Sequence, residues 1–246
     1  MKIILCGACG RMGQVVCEVV ENGFCGASLA AAVDVTPPAL ACPSYTSLDE
    51  IKESADVLVD FSHHSATDSI LAFALAHGMP LVIATTGQTE EEKKKIYEAS
   101  KTIPVFFSGN MSIGIALLIS LAKKAASVFP DADVEIVETH HNRKLDVPSG
   151  TALMIAEGIR EARGNGEFCI GRHENGKRPE GEIGIHSLRL GNVVGEHEIR
   201  INTGTQTLTL KHEAHSRALF AEGALTAAAF LIEQKNGLFN VNDLFG

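Results

Sequence analysis

Apolar positions in the N-terminal part of the chain fall in short continuous runs, each followed by a turn and then by a stretch with helical spacing. Lys2-Ile3-Ile4-Leu5-Cys6 ends at Gly7, and Met12, Val15, Val16, Val19 and Val20 then recur at the spacing of one helix face. A second run, residues 29–33, stops at Asp34, after which Thr36-Pro37-Pro38 and Pro43 form a loop. Strand, glycine turn, helix and strand make a βαβ unit. The alternation continues with strands at 57–61, 81–83 and 105–107, separated by helices at 66–76 and 89–100. Strands that are apolar throughout and separated by helix-length segments belong to a parallel sheet covered on both faces. The pattern therefore predicts an α/β fold whose first part is a Rossmann-like, doubly wound parallel sheet.

The pattern changes near residue 112. Residues 113–128 are helical and strongly apolar, 134–137 read as a strand, and a polar loop leads to a helix from 150 to about 163. A glycine-rich, charged loop covers 164–184. Residues 185–190, 196–201 and 205–210 then alternate like strands, with turn signals at Gly191-Asn192 and Thr203-Gly204. This predicts an α+β domain with a mostly antiparallel sheet over residues 112–216. The last helix, 217–233, is rich in alanine and apolar on more than one face, as expected if it packs back on the first domain. The first domain is then discontinuous, comprising 1–111 and 217–246.

Composition narrows the function classes. A chain of 246 residues that is 45% hydrophobic can fill two modest cores. Its 21 basic and 30 acidic residues give a formal charge of −9, which argues against nucleic acid or an anionic membrane as a partner. Aromatic content of 5%, with no tryptophan, leaves little for stacking on single-stranded nucleic acid. The apolar runs are too short for a membrane span, and the first residues do not read as an export signal. The six cysteines, five of them within the first 42 residues, are expected to be mostly reduced thiols of a cytoplasmic protein. An anionic ligand must therefore find local positive charge.

Gly7-Ala8-Cys9-Gly10-Arg11-Met12-Gly13 lies between the first strand and the first helix, where a pyrophosphate can approach backbone N–H groups at the helix N-terminus. The spacing is GxxGxxG, a variant of the dinucleotide-binding GxGxxG. Asp34, at the end of the second strand, is placed to accept hydrogen bonds from an adenosine ribose. Val35 follows it and offers no cation to a 2′-phosphate, so charge favours NADH over NADPH. Ala84-Thr85-Thr86-Gly87 and Ser108-Gly109-Asn110-Met111 follow later strands at their C-terminal ends, where small residues permit close approach of a nicotinamide. A glycine turn can also serve only to pack helix on strand, and Arg11 can be a solvated first-turn arginine.

His140-His141-Asn142-Arg143-Lys144 places four cationic or potentially cationic side chains in five positions of an acidic chain. Histidine exchanges protons near neutral pH, and lysine is a compact charge for a carboxylate or phosphate. Ser149-Gly150-Thr151, at the start of the next helix, adds hydroxyl and N–H groups that suit a carboxylate. No metal is expected, because adjacent residues of an extended segment point in opposite directions and no third ligand is evident. The plain alternative is a solvated basic loop. A second pair, His63-His64, reads as part of a loop lining the cofactor cleft.

These motifs, together with the stretch Glu138-Thr139-His140-His141-Asn142-Arg143-Lys144-Leu145-Asp146-Val147-Pro148-Ser149-Gly150-Thr151-Ala152, closely resemble the bacterial 4-hydroxy-tetrahydrodipicolinate reductase family, the dihydrodipicolinate reductases of lysine and diaminopimelate biosynthesis. The resemblance runs in order from Lys2 to the terminal helix. It implies a cytoplasmic homotetramer that uses NADH or NADPH to reduce a small cyclic dicarboxylate, 4-hydroxy-tetrahydrodipicolinate, to tetrahydrodipicolinate with loss of water. By position, His140 matches the proton donor, His141 and Lys144 match residues holding the substrate, and Gly150 and Thr151, beside Ser149, match the carboxylate seat. Asp34, the 85–87 turn and the 108–111 turn match cofactor contacts. Ala84 departs from the family's usual glycine, and Val35 lies where some members carry an arginine for the 2′-phosphate. Two other readings remain at this point: a semialdehyde dehydrogenase, for which Cys169 is the available nucleophile, and a non-catalytic nucleotide-binding redox sensor that binds NADH without turnover.

Overall fold

The structure, a computed structural model, describes residues 1–245. It contains two compact units: Met1–Ser112 joined by the segment from Arg217 onward, and Ile113–Ser216.

The first unit is a seven-stranded parallel sheet. In chain order its strands are β1 (Lys2–Cys6), β2 (Ser28–Val33), β3 (Ser44–Tyr45), β4 (Val57–Asp60), β5 (Leu81–Ile83) and β6 (Pro104–Phe107), and β12 (Gly237–Phe239) joins from the C-terminal segment. The spatial order is β12-β6-β5-β4-β1-β2-β3, with the reversal at β1 characteristic of a doubly wound sheet. Ile3, Ile4, Leu5, Val57, Leu58, Val59, Leu81 and Val82 are fully buried, because helices cover both faces. α2 (Thr67–His77) and α3 (Glu90–Ser100) enclose one core with Ile4, Leu58, Ile83 and Val105. α1 (Arg11–Glu21) packs against α6 (Ala218–Leu231), which also meets β4, β5 and β6. Capping sets the helix ends: Thr89 and Glu92 form a reciprocal capping box at α3, and Gly78 ends α2 in the left-handed region at φ 59°.

The second unit is a five-stranded sheet with two helices on one face. Its elements are α4 (Ile113–Val128), β7 (Asp133–His140), α5 (Gly150–Arg163), β8 (Phe168–Ile170), β9 (Ile183–Arg189), β10 (Gly195–Asn202) and β11 (Thr207–Ala214). The order is β11-β10-β7-β9-β8, antiparallel where β10 meets β7 and β11 and parallel where β9 meets β7 and β8. Val134, Ile136, Ile183, Ile185, Ile199 and Ile201 alternate inward against α4 and α5. Ser149 caps α5 at its start, and Gly164 ends it at φ 76°.

Three strands lie outside the expected pattern. β3, β8 and β12 are two or three residues long and sit at sheet edges. Their partners define them, since runs so short carry no periodicity of their own. The turn signal at Gly191-Asn192 also behaves differently from a hairpin. It joins β9 to β10 across β7, which lies between them, whereas Thr203-Gly204 does close the β10–β11 hairpin. β7 runs three residues beyond the expected strand and ends on His140.

Candidate active site

In the first unit, Gly7 leaves β1 with φ +77°, and a Cβ there would lie 2.5 Å from the carbonyl oxygen of Phe61. Gly13 faces the same turn from α1, where a Cβ would fall 2.1 Å from the Gly7 carbonyl oxygen. The backbone of turn and helix thus meet at a distance only glycine allows. Gly10 precedes α1 in extended conformation and supplies no side-chain cap, so the first-turn N–H groups of α1 have no capping side chain to satisfy them. The Cys9 N–H donates to Asp34 Oδ2 at 2.8 Å and the Val35 N–H to Oδ1 at 2.7 Å, which anchors the carboxylate beside the turn. An uncapped helix N-terminus behind a glycine turn, with a fixed carboxylate at the end of β2, fits a dinucleotide. Ala8 is buried and Met12 half-buried, whereas Arg11 and Val35 are exposed.

The loops after β5 and β6 open on the same end of this sheet. Ala84-Thr85-Thr86-Gly87 follows β5, with the Thr85 hydroxyl donating to the Asp60 carbonyl at 3.5 Å. Asp60 ends β4, and its buried carboxylate accepts the Ser62 N–H at 2.8 Å and hydroxyl at 2.5 Å; burial raises its pKa. In the loop after β6, the Ser108 hydroxyl donates to the Asn110 carbonyl at 2.7 Å and the Ser112 N–H to Asn110 Oδ1 at 2.8 Å. Met111 rests on α6, where a Cβ on Gly223 would come within 1.8 Å of its carbonyl oxygen. The C-terminal segment thereby buttresses a loop that the N-terminal segment supplies. His64 lies 3.2 Å from Glu92 at the start of α3, and His63 is 2.9 Å from the Ser65 hydroxyl, so both pin their loop.

In the second unit, Glu138 and His140 lie two residues apart on β7 and share one face of the strand. Glu138 is fully buried, and its Oε2 lies 2.5 Å from His140 Nδ1. Arg189, registered opposite His140 on β9, donates to both carboxylate oxygens at 2.9 and 3.0 Å. The Ser149 N–H donates to Oε1 at 3.1 Å, tying the start of α5 to the same group. Burial alone would raise the Glu138 pKa, but the hydrogen bonds from His140 and Arg189 outweigh it and hold the carboxyl well below its usual range.

His197 on β10 meets the His140 ring edge-on at 5.2 Å between centroids, with its Nε2 3.2 Å from the Ser149 hydroxyl. Burial, reinforced by His140, pushes its pKa down to about 3, so it is neutral near pH 7. The loop after β9 braces the cluster from above: the Leu190 N–H donates to the His140 carbonyl at 2.8 Å, and Arg143 reaches Asn192 Oδ1 at 2.9 Å. Lys144 is mostly buried and pairs with exposed Asp146 at 2.9 Å, which lowers the Asp146 pKa. His141 is half-buried one residue past β7. Gly150, the first residue of α5, is exposed, and a Cβ added there would meet no atom of the chain within 4 Å.

The second unit therefore gathers His140, Lys144, Ser149 and Gly150 around one end of β7. Sequence reasoning did not single out Arg189 or His197, which come from strands far along the chain. The Glu138-x-His140 alternation on a strand was the one signal of a shared face. Cys169 is elsewhere: it pairs in register with Gly184, five residues before Arg189 along β9. That separation is roughly 17 Å at strand rise, too far for a nucleophile to share the histidine site. Among the described residues, no group of His, Cys, Asp and Glu is placed to hold a metal ion, and no helix is long and apolar enough to cross a membrane.

A parallel sheet with a dinucleotide turn, combined with a unit carrying a carboxylate-bound histidine near a lysine and the start of a helix, defines an oxidoreductase that takes a nicotinamide dinucleotide as cofactor. The chain belongs to the dihydrodipicolinate reductase family: residues 1–111 match the model of its N-terminus and residues 114–245 that of its C-terminus. It is 46% identical to the 4-hydroxy-tetrahydrodipicolinate reductase of Caldanaerobacter subterraneus subsp. tengcongensis, across 99% of this chain and 98% of that protein. Identity to the protein of the same name from Clostridium novyi is 41%, across 99% and 97%. A solved structure, the dipicolinate-bound dihydrodipicolinate reductase from Paenisporosarcina sp. TG-14, superposes with a TM-score of 0.83 at 27% identity, covering 98% of this chain and 97% of that one.

Proposed function

We propose that this protein reduces 4-hydroxy-tetrahydrodipicolinate to tetrahydrodipicolinate with loss of water, at the expense of NADH or NADPH, in lysine and diaminopimelate biosynthesis. The observation that carries this reading is the His140 imidazole held 2.5 Å from a buried carboxylate, beside an α5 N-terminus with open space at Gly150. The dipicolinate bound by the Paenisporosarcina protein is a planar cyclic dicarboxylate, and a ligand of that chemistry suits this cationic corner.

In this reading the cofactor, when bound, supplies a hydride from its nicotinamide C4. The acceptor is C4 of the conjugated imine left when the 4-hydroxyl departs as water. The incoming electron pair displaces density onto the neighbouring carbon, which must then take a proton. His140 delivers that proton from Nε2, while its Nδ1 proton stays on the ring and is donated in a hydrogen bond to Glu138, and the ring regains a proton from water. Lys144 offsets carboxylate charge, and Gly150 and Thr151 seat a carboxylate on their backbone N–H groups, with His141 as a further contact; Ser149, expected to join them, is buried with its N–H on Glu138 and its hydroxyl on Ala152 and His197, so it holds the turn instead. One substrate, one reduced cofactor and one proton give product, oxidised cofactor and water.

In the first unit, residues 7–13, Asp34, Ala84–Gly87 as residues 84–87, and residues 108–111 hold the cofactor. The exposed Val35, with no cation beside Asp34, supports a preference for NADH. Residues 1–111 and 217–246 thus form the cofactor domain, and 112–216 the substrate and oligomerisation domain. The assembly is a homotetramer. Supporting this, the sheet face of the second unit turned away from α4 and α5 carries Asp133, Glu135, Arg178, Glu198 and Arg200 around a cavity of about 550 Å³. A cytoplasmic location accords with six free cysteines.

The test is oxidation of NADH and NADPH followed by absorbance, with freshly generated 4-hydroxy-tetrahydrodipicolinate as substrate. Turnover with NADH exceeding that with NADPH is expected, and no turnover with either overturns the reading. Light scattering on the eluting protein checks the tetramer, which a monomer mass would refute.

A further inference from the structure

We propose that Glu138, clamped by Arg189, is a positioning residue that fixes His140 in one tautomer and ties it to the α5 N-terminus, so that proton donor and carboxylate seat are set by a single buried group. The inference rests on the proton-donor reading of His140 and goes beyond it, to the residue that makes the histidine competent.

The donor count at Glu138 is the main argument. Its two oxygens receive His140 Nδ1 at 2.5 Å, the Ser149 N–H at 3.1 Å, and two Arg189 N–H groups at 2.9 and 3.0 Å. Only an ionised carboxylate accepts from all of these; a protonated acid or an amide would present a donor to at least one of them. With Nδ1 spoken for, Nε2 is the ring nitrogen left to exchange a proton with a ligand. That nitrogen lies over Gly195, where a Cβ would approach to 3.1 Å, so the glycine leaves the ring its place.

The charges facing His140 come from every neighbouring element. β7 contributes Glu138 and β9 contributes Arg189; the loop after β7 carries Lys144 and Asp146, and Ser149 caps α5. β10 places neutral His197 against the ring, and His212 on β11 lies opposite His197 in register. Arg189 is bound to Glu138, and Lys144 and Asp146 pair with each other. Glu138 is the only anion among these groups that touches the ring. Without its charge, protonated His140 would face two cations and no carboxylate in contact. Through catalysis Glu138 stays ionised, and the proton that moves is the one on Nε2.

The experiment is ¹⁵N long-range correlation NMR of the histidine rings in the full-length protein, free of ligands, across a pH titration. In the wild type the neutral form of His140 should carry its proton on Nδ1. In Glu138→Gln the His140 midpoint should move toward acid by more than one pH unit, and the alkaline limb of kcat should move with it. At a pH above both midpoints, kcat then falls about tenfold for each unit of that displacement. Glu138→Asp keeps the charge and should restore most of the midpoint. A neutral wild-type His140 protonated on Nε2 overturns the proposal even if Glu138→Gln does not fold. So does a folded Glu138→Gln protein with an unmoved His140 midpoint, whatever its stability. The ring titration needs no turnover, so its outcome stands apart from that of His140→Ala kinetics, which tests the proton-donor reading itself.

Discussion

Replacing Gly150 with alanine separates what the fold requires at the head of α5 from what a ligand requires there. Gly150 is exposed, its φ lies outside the left-handed region, and the added methyl would meet no atom of the chain within 4 Å. Alanine is the better helix former by up to about 1 kcal/mol in a helix interior and by less at a first position, so stability should hold or rise slightly. A substrate carboxylate seated on the Gly150 and Thr151 N–H groups would, by contrast, run into the methyl. Losing one hydrogen bond to a charged group costs about 1.5–3 kcal/mol, which converts to roughly a 10- to 150-fold rise in substrate KM. Cofactor affinity should be unchanged, since the residues proposed to hold the cofactor belong to the other unit. Steady-state kinetics with varied substrate, alongside urea unfolding, gives both readouts. A variant of wild-type stability and unchanged substrate KM would refute the carboxylate seat at this turn.

The other expectations use the same logic. His140→Ala should lower kcat by roughly 10²–10⁴-fold with a smaller change in substrate KM, measured by cofactor oxidation; turnover near wild type would remove its role as acid. Gly13→Ala places a Cβ 2.1 Å from the Gly7 carbonyl, so the turn must open, and calorimetry should show cofactor affinity reduced at least tenfold together with a lower melting temperature. Val35→Arg should improve KM for NADPH relative to NADH, which competition kinetics would show; an unaltered ratio would mean that position does not face the 2′-phosphate. His197, neutral and buried with a pKa near 3, binds a proton in the unfolded chain but not in the folded one once pH falls below about 6.5. Its contribution to stability is therefore fully present above pH 6.5 and lost on acidification, by about 1.4 kcal/mol per pH unit at most. Urea midpoints recorded from pH 7 to 5 should decline accordingly, and a His197→Leu protein should show a shallower slope over that range.

What could be read from the chain alone follows the range of the interactions that decide each feature. β1, the glycine turn and α1 follow from the residues within each of them and occupy the places their spacing predicts, whereas the Asp34 carboxylate is fixed by the Cys9 N–H from the other end of the βαβ unit. The long strands β10 and β11 and the helices α4 and α5 likewise carry their own periodicity, and the short β4 its continuous apolar run. Against an acidic chain, the cationic run of residues 140–144 stood out as the loop proposed to meet an anionic substrate. Tertiary structure decided the rest. The edge strands β3, β8 and β12 exist because a partner offers unpaired backbone groups, and no local pattern announces that. Placing β7 between β9 and β10 converts an apparent hairpin turn into the brace over His140. Above all, Arg189 and His197 reach Glu138, His140 and Ser149 from strands some fifty residues away. The candidate proton donor His140 was legible as a histidine in a charged run, but its surroundings, a buried carboxylate satisfied by groups that only the folded sheet brings together, were not, because burial and hydrogen-bond partnership are properties of the packed chain.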